Sequence, residues 1–174
     1  GSQTVSVLDV HSNALVGVIN GNTLAQFSTP RALAQSIDGR YLFVGNSSAK
    51  SLSVIDLQSM ILMKNIEVAG NGISHMSYHH GVEGGQLIIG YGNGSNTSDA
   101  VSLLNAEVAV SQSHVSLQEL NSGGYTTGLA FDDDSGFLYL SQQSNNRLIV
   151  IDVMNNSIVN VVNNLQSPTV TTLS

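Results

Sequence analysis

Cysteine is absent from this 174-residue chain, so it can form no disulfide, no thiolate metal site and no cysteine nucleophile. That absence leaves the cellular compartment open. Charge is scarce as well: Asp, Glu, Lys and Arg make up 10% of the residues, and five Lys+Arg face twelve Asp+Glu for a net charge of −7. With no basic run to neutralise a phosphate backbone, a nucleic-acid partner is not expected, and an anionic membrane surface is disfavoured for the same reason. No apolar run approaches the roughly 20 residues of a membrane-spanning helix, so direct membrane insertion is not expected either. A Gly-x-Ser-x-Gly nucleophile elbow is missing. Serines are so numerous that a Ser/His/Asp triad could be drawn almost anywhere, which removes its weight as evidence. Helix is nearly absent from the reading too, because no segment sustains a 3.6-residue apolar period over a dozen residues.

What the chain does have is a motif written four times. Ser51-Leu52-Ser53-Val54-Ile55-Asp56 returns as Ser6-Val7-Leu8-Asp9, as Ser102-Leu103-Leu104-Asn105 and as Ile149-Val150-Ile151-Asp152. The marker residues Asp9, Asp56, Asn105 and Asp152 stand 47, 49 and 47 residues apart. A period near fifty signals a repeat architecture. The composition is 41% hydrophobic, and the rest is rich in Ser, Asn, Thr and Gly, so the expected surface is polar but largely uncharged. Such a surface leans toward an extracytoplasmic location. Asn46, Asn93, Asn96 and Asn155 each open an Asn-x-Ser/Thr pattern, which is weak support in a chain this rich in Asn and Ser.

Within the repeat, short β-branched or alternating runs are separated every eight to twelve residues by Asn, Gly, Ser and Asp. Residues 5–10 and 15–19 read as a hairpin around His11-Ser12-Asn13. Strands are then expected at 32–37, 41–44, 52–57 and 61–68, ending at Ala69-Gly70. A second cycle runs through 74–78, 86–90 and 101–104, with its fourth strand inside 110–120. A third runs through 128–131, 137–140, 148–153 and 157–162, and residues 168–173 begin a fourth. Four-stranded units of forty to fifty residues are the signature of propeller blades.

Gly39-Arg40-Tyr41-Leu42-Phe43-Val44-Gly45-Asn46, followed by Ser51 to Leu57 and closed by Ile66-Glu67-Val68-Ala69-Gly70, resembles the YVTN family of β-propeller repeats. The third cycle matches through Ser135-Gly136-Phe137-Leu138-Tyr139-Leu140 and residues 148–153. The second departs, with Ile88-Ile89-Gly90 and with Asn105 in place of the Asp. The resemblance implies an all-β propeller whose first strands line a central axis and whose fourth strands lie at the rim. It also implies a partial propeller over residues 3–174, after Gly1-Ser2 as a tag remnant. Its blades fall at 3–20 (incomplete), 30–70, 71–121 and 124–163, with the start of the next at 167–174. The count is about 3.5 to 4 blades, whereas rings close with about 4–8. Three readings follow: a fragment of a seven- or eight-bladed parent, a ring completed by a second copy, or closure of residues 168–173 onto the N-terminal hairpin. A piece of a longer chain that associates with itself through open blades is favoured.

Candidate sites are few. His75, His79 and Glu83 form the densest set of ligand-type side chains, and imidazole with carboxylate suits Zn²⁺ or Cu²⁺. Period-2 geometry sets His75 and His79 on one face and His80 on the other, with Glu83 in the next turn, so packed or solvated imidazoles are favoured over a metal site. Asp132-Asp133-Asp134-Ser135-Gly136 lacks EF-hand spacing and reads as an acidic turn. The glycine-rich loop 92–99 has no following helix or Lys for phosphate. Loops on a rigid scaffold carry function, so the binding-face candidates are Asn46, Ser47, Lys50, Asn71, Asn93, Asn96, Asp99, Tyr125, Gln142, Asn145 and Arg147. The Asp that ends each third strand is expected to accept hydrogen bonds from the following turn.

The functional expectation is an extracytoplasmic propeller segment acting as a binding or assembly scaffold. Its partner would be a protein or carbohydrate ligand, or a second copy, and no cofactor or catalytic site is implied. The alternative is part of a propeller enzyme, lactonase-like or haem/metal oxidoreductase-like, with its active site at the ring axis.

Overall fold

The computed structural model describes residues 3–21, 27–68, 72–81, 84–92, 100–111, 118–121 and 126–168. An N-terminal hairpin of β1 (Thr4–Asp9) and β2 (Ala14–Asn20) precedes three four-stranded antiparallel sheets. The first sheet is β3 (Pro30–Gln35), β4 (Tyr41–Asn46), β5 (Ser51–Asp56) and β6 (Ile61–Glu67). The second is β7 (Ile73–His79), β8 (Gln86–Tyr91), β9 (Ala100–Asn105) and β10 (Gln118–Asn121), with α1 (Ala106–Ser111) inserted before its last strand. The third is β11 (Gly128–Asp132), β12 (Phe137–Gln142), β13 (Arg147–Asp152) and β14 (Ser157–Val162). In each sheet the strands neighbour one another in chain order, the meander of a propeller blade.

The continuous apolar runs are explained by where alternate residues go. In β8, Leu87 and Ile89 enter the core between the first and second sheets, while Ile88 enters the core between the second and third. In β4 and β5, Phe43, Leu52 and Val54 face the second sheet, and Val44 and Ile55 face the N-terminal hairpin together with Val5, Ile19 and Phe27. A strand buried on both faces therefore carries no polar alternation. Rim strands differ: β6 buries Leu62 and Ile66 and exposes Ile61 and Met63.

The marker residues act as the sequence suggests. Asp9 Oδ1 accepts from His11 N at 3.0 Å and Ser12 N at 2.7 Å, and Asp56 Oδ1 from Gln58 N and Ser59 N, both at 2.9 Å. Asp152 Oδ1 accepts from Asn155 N at 2.9 Å. Each of these turns places a residue four positions after the Asp at positive φ, namely Asn13, Met60 and Asn156, and each follows a register shift in the hairpin. Asn105 keeps the bond to the third residue, its Oδ1 accepting from Val108 N at 2.9 Å, and Ala106 N bonds to Gly85 O as Leu57 N does to Arg40 O. What differs is that Glu107 N bonds to Gly84 O and the chain continues as α1, which Asn105 caps. The fourth strand of this sheet is consequently short and late, at Gln118–Asn121. The strand expected at 168–173 lies outside the described residues except for Pro168.

The sheets meet along their first strands, β3 against β7 and β7 against β11. This approach requires small residues at the end of each second strand. A Cβ on Gly45 would lie 2.3 Å from Ile73 Cγ2 and 3.3 Å from Ala32 Cβ. Gly90 has the equivalent place beside Thr126, where a Cβ would come 3.3 Å from Cγ2. Gly45→Ala is expected to destabilise the fold by about 1–3 kcal/mol through overpacking. In a denaturant-melting cycle with Ile73→Ala, the two losses should sum to less than additive; strict additivity would show that the two residues do not press on each other.

Candidate functional site

The loop face is built largely from internal hydrogen bonds. Asn46 is fully buried; its Oδ1 accepts from Ser28 N at 3.0 Å, and its Nδ2 donates to Ser51 Oγ at 3.2 Å and Ser53 Oγ at 2.7 Å. Ser53 Oγ in turn donates to Asn65 Oδ1 at 2.6 Å, so the network crosses β4, β5 and β6. Ser47 is buried, its N–H donates to Thr29 O at 3.0 Å, and a Cβ on Gly72 (φ +89°) would fall 2.1 Å from its carbonyl oxygen. Gln142 is also buried, with its Oε1 accepting from Arg147 Nε at 2.7 Å. Lys50 and Asn145 are exposed, at a positive-φ turn position and in a short 3₁₀ turn. Asn71, Asn93, Asn96, Asp99 and Tyr125 lie outside the described residues.

One regularity escaped the sequence reading. Asn46, Tyr91 and Gln142 occupy the same place, the last residue of the second strand in successive sheets, and all three are fully buried. Each is tied to the third strand, Tyr91 through a bond from its hydroxyl to Ser102 Oγ at 2.9 Å. The available signal was a large polar-tipped residue closing each apolar run. Asn46→Ala leaves buried partners unmatched and should cost about 1–3 kcal/mol in a denaturant titration, whereas Lys50→Ala on the same loop should cost nothing measurable.

The histidines do not share a centre. His79 is buried and its Nδ1 lies 2.7 Å from Asp133 Oδ1, with its ring 4.4 Å from that of Phe131, so it clasps the second sheet to the third. His80 Nδ1 stands 3.7 Å from the same carboxylate. His75 is half-buried with Nδ1 2.9 Å from Ser74 Oγ; burial, helped by the charge of Arg31, holds its pKa below the ordinary value. Glu83 lies outside the described residues. Among the described residues no group of three or more His, Cys, Asp or Glu gathers. The acidic run forms a turn: Asp132 Oδ1 accepts from Asp134 N at 3.0 Å and Ser135 N at 3.3 Å, with Gly136 at φ +72°.

At the opposite end from these loops, a cleft of about 690 Å³ opens between the first and second sheets. Tyr41 and Phe43 of β4, Tyr78 of β7 and Val110 of α1 give it an aromatic and aliphatic wall. Asp38, in the turn after β3, and Glu107, in the first turn of α1, add carboxylates. Tyr78 bridges the two sheets, because its hydroxyl is hydrogen-bonded to the backbone of Ile37. Burial raises its pKa, and the nearby charge of Asp38 adds to that rise. The ring lies so close to Gly85 (φ +69°) that a Cβ there would overlap its hydroxyl. The sequence pattern does not announce this cleft: it sets a fourth strand inside 110–120 and assigns no element to 106–109, where α1 begins. The residues Ala-Glu-Val-Ala behind an Asn cap were the signal of a helix.

The sequence matches no family model and no curated protein. Solved structures do resemble it. Hydrazine synthase of Kuenenia stuttgartiensis superposes with a TM-score of 0.69 at 18% identity, covering 91% of this chain and 42% of that one. The β-propeller domain of Cps50 (Swd1) from Myceliophteria thermophila superposes with a TM-score of 0.70 at 16% identity, covering 94% of this chain and 49% of that one. The fold is propeller-like. The chain spans less than half the length of each of these proteins, and at such identities the likeness concerns the fold alone.

Five turn carboxyls carry a pH dependence. Asp9, Asp56 and Asp152 are held below 3.8 chiefly by the backbone N–H groups of Ser12, Ser59 and Asn155, and Asp38 and Asp132 chiefly by the hydroxyls of Ser36 and Ser135. A carboxyl whose folded pKa lies below its unfolded value contributes stability that is complete above the unfolded value and is lost as pH falls through the folded one. Stability should therefore drop on acidification below about pH 4. NMR titration should give all five midpoints under 3.8, and Asp56→Asn should shallow the acid limb of the stability profile.

Proposed function

We propose that this chain is a segment of an extracytoplasmic propeller of YVTN-repeat type that works as a binding or assembly scaffold and has no catalytic centre of its own. The observation that carries the reading is the unequal covering of its sheets. In the first two sheets the inner strands bury both faces, whereas the outer face of the N-terminal hairpin presents Leu8, Leu15, Val16 and Val18 at 63, 59, 59 and 45% exposure. An apolar face of this kind on a blade marks an association surface. The third sheet is likewise covered on one side by Ile88, Val101 and Leu103, while Tyr139, Leu148 and Val150 on its other side are only half-buried.

The polar, weakly charged composition supports the extracytoplasmic location. Asn46 is not an acceptor for a glycan in the folded chain, because its amide nitrogen is buried and donates to two serines. The enzyme alternative draws on likeness of fold, which transfers poorly to activity; metal or haem found by elemental analysis and absorbance in the purified protein would favour it.

Multi-angle light scattering over a concentration series should show a mass above that of the 18.3 kDa monomer. The pair Leu15→Glu and Val18→Glu should return it to the monomer with its circular dichroism unchanged. A monomeric mass at every concentration sinks the assembly reading.

A further inference from the structure

The cleft between the first and second sheets has features that the repeat does not require. Tyr41, Phe43 and Tyr78 line it, in a chain that has only five Tyr and four Phe. Two carboxylates from opposite sides, Asp38 and Glu107, stand at the same opening. Asp38 is fixed by Ser36 Oγ and by the N–H of Arg40 at 3.0 Å, so it is held as a carboxylate in one place. Glu107 sits in the first turn of α1, which has no counterpart in the other sheets among the described residues. At about 690 Å³, the space matches pockets that hold small organic molecules.

We infer that this cleft binds a small organic amine, with its hydrocarbon or aromatic body against Tyr41, Tyr78 and Val110 and its protonated nitrogen between the carboxylates of Asp38 and Glu107. The physical case is complementarity. Aromatic ring faces attract cations as well as apolar groups. Arg40 already shows this locally, its guanidinium lying 5.0 Å from the centre of the Tyr41 ring. Carboxylates accept charge-assisted hydrogen bonds from an ammonium, roughly twice as strong as neutral ones. An anionic ligand would meet both carboxylates at a short distance and is rejected. A neutral ligand of the same shape gains only the apolar contacts. The His80 imidazole, which also borders the cleft, is drawn toward Asp133 on the neighbouring sheet.

This inference does not depend on assembly, since the hairpin face and the cleft lie on different parts of the chain. It is tested by titrating isotope-labelled protein with phenethylammonium, 2-phenylethanol and 3-phenylpropanoate while recording amide chemical shifts. The cation should bind about tenfold or more tightly than the neutral alcohol, the anion should not bind, and the shifts should map to Asp38, Tyr78, Gly85 and α1. Glu107→Gln should lower the affinity for the cation about tenfold and leave that for the alcohol unchanged. Val110→Trp, which fills the space, should abolish both while the remaining spectrum stays that of the folded protein. Equal affinity for cation and alcohol, shifts that map elsewhere, or an indifferent Glu107→Gln variant would each overturn it.

Discussion

Everything in this fold depends on how closely the first strand of one sheet can approach the second strand of the sheet before it. At Gly45 the clearance is smaller than a methyl group, because Ile73 occupies the space where a Cβ would stand. Gly90 meets Thr126 in the same way one sheet later, and the buried Ser141 takes that place in the third. Small residues there let β3, β7 and β11 stand side by side. That juxtaposition in turn covers both faces of β4, β5 and β8 and turns apolar runs into paired cores. Packed interiors tolerate little excess volume, so one small position per repeat sets the spacing of the whole stack.

The repeat itself is conservative in its chemistry and informative where it breaks. Asp9, Asp56 and Asp152 organise the same turn with the same acceptor oxygen, and the register shift beside each of them recurs at the same step. Asn105 stands in the equivalent place. Its neutral side chain keeps the bond to the third residue on, accepting from Val108 N as Asp9 does from Ser12 N, but here the chain continues as α1. The helix wall and the Glu107 carboxylate belong to the one repeat whose marker residue is Asn rather than Asp. The cleft is thus a local departure from a periodic scaffold, which is where specific chemistry can arise without disturbing the stack.

The strand order was legible because its causes are local. Apolar runs of four to six, Asp turns and Asp-Gly or Ser-Gly corners fixed thirteen of the expected strands to within about two or three residues, within the usual uncertainty of element ends. The positive-φ turn positions were less so, since Asn13 and Asn156 advertise them and Met60 does not. What the sequence hid was tertiary. His79 reads as a packed or solvated imidazole, and only the fold brings Asp133, 54 residues later, to face it. Asn46 and Gln142 read as loop-tip polar groups, and only the packing of the strand ends shows them buried. Exposure at a strand terminus is decided by the neighbouring sheet, which no local pattern reports.

The burial of those strand-end groups has a further consequence for where recognition can occur. Lys50 is exposed and the buried Thr126 Oγ1 has no partner, but Asn46, Ser47, Gln142 and Arg147 are engaged with one another or with the backbone. A ligand taking over those bonds would have to displace an internal one for each it formed, which leaves little net gain. At the other end of the stack the carboxylates of Asp38 and Glu107 are exposed beside aromatic surface, and Asp38 is held there by Ser36 Oγ and Arg40 N. What sets the cleft apart from the loops is therefore aromatic surface beside two exposed carboxylates, not unused hydrogen-bonding capacity.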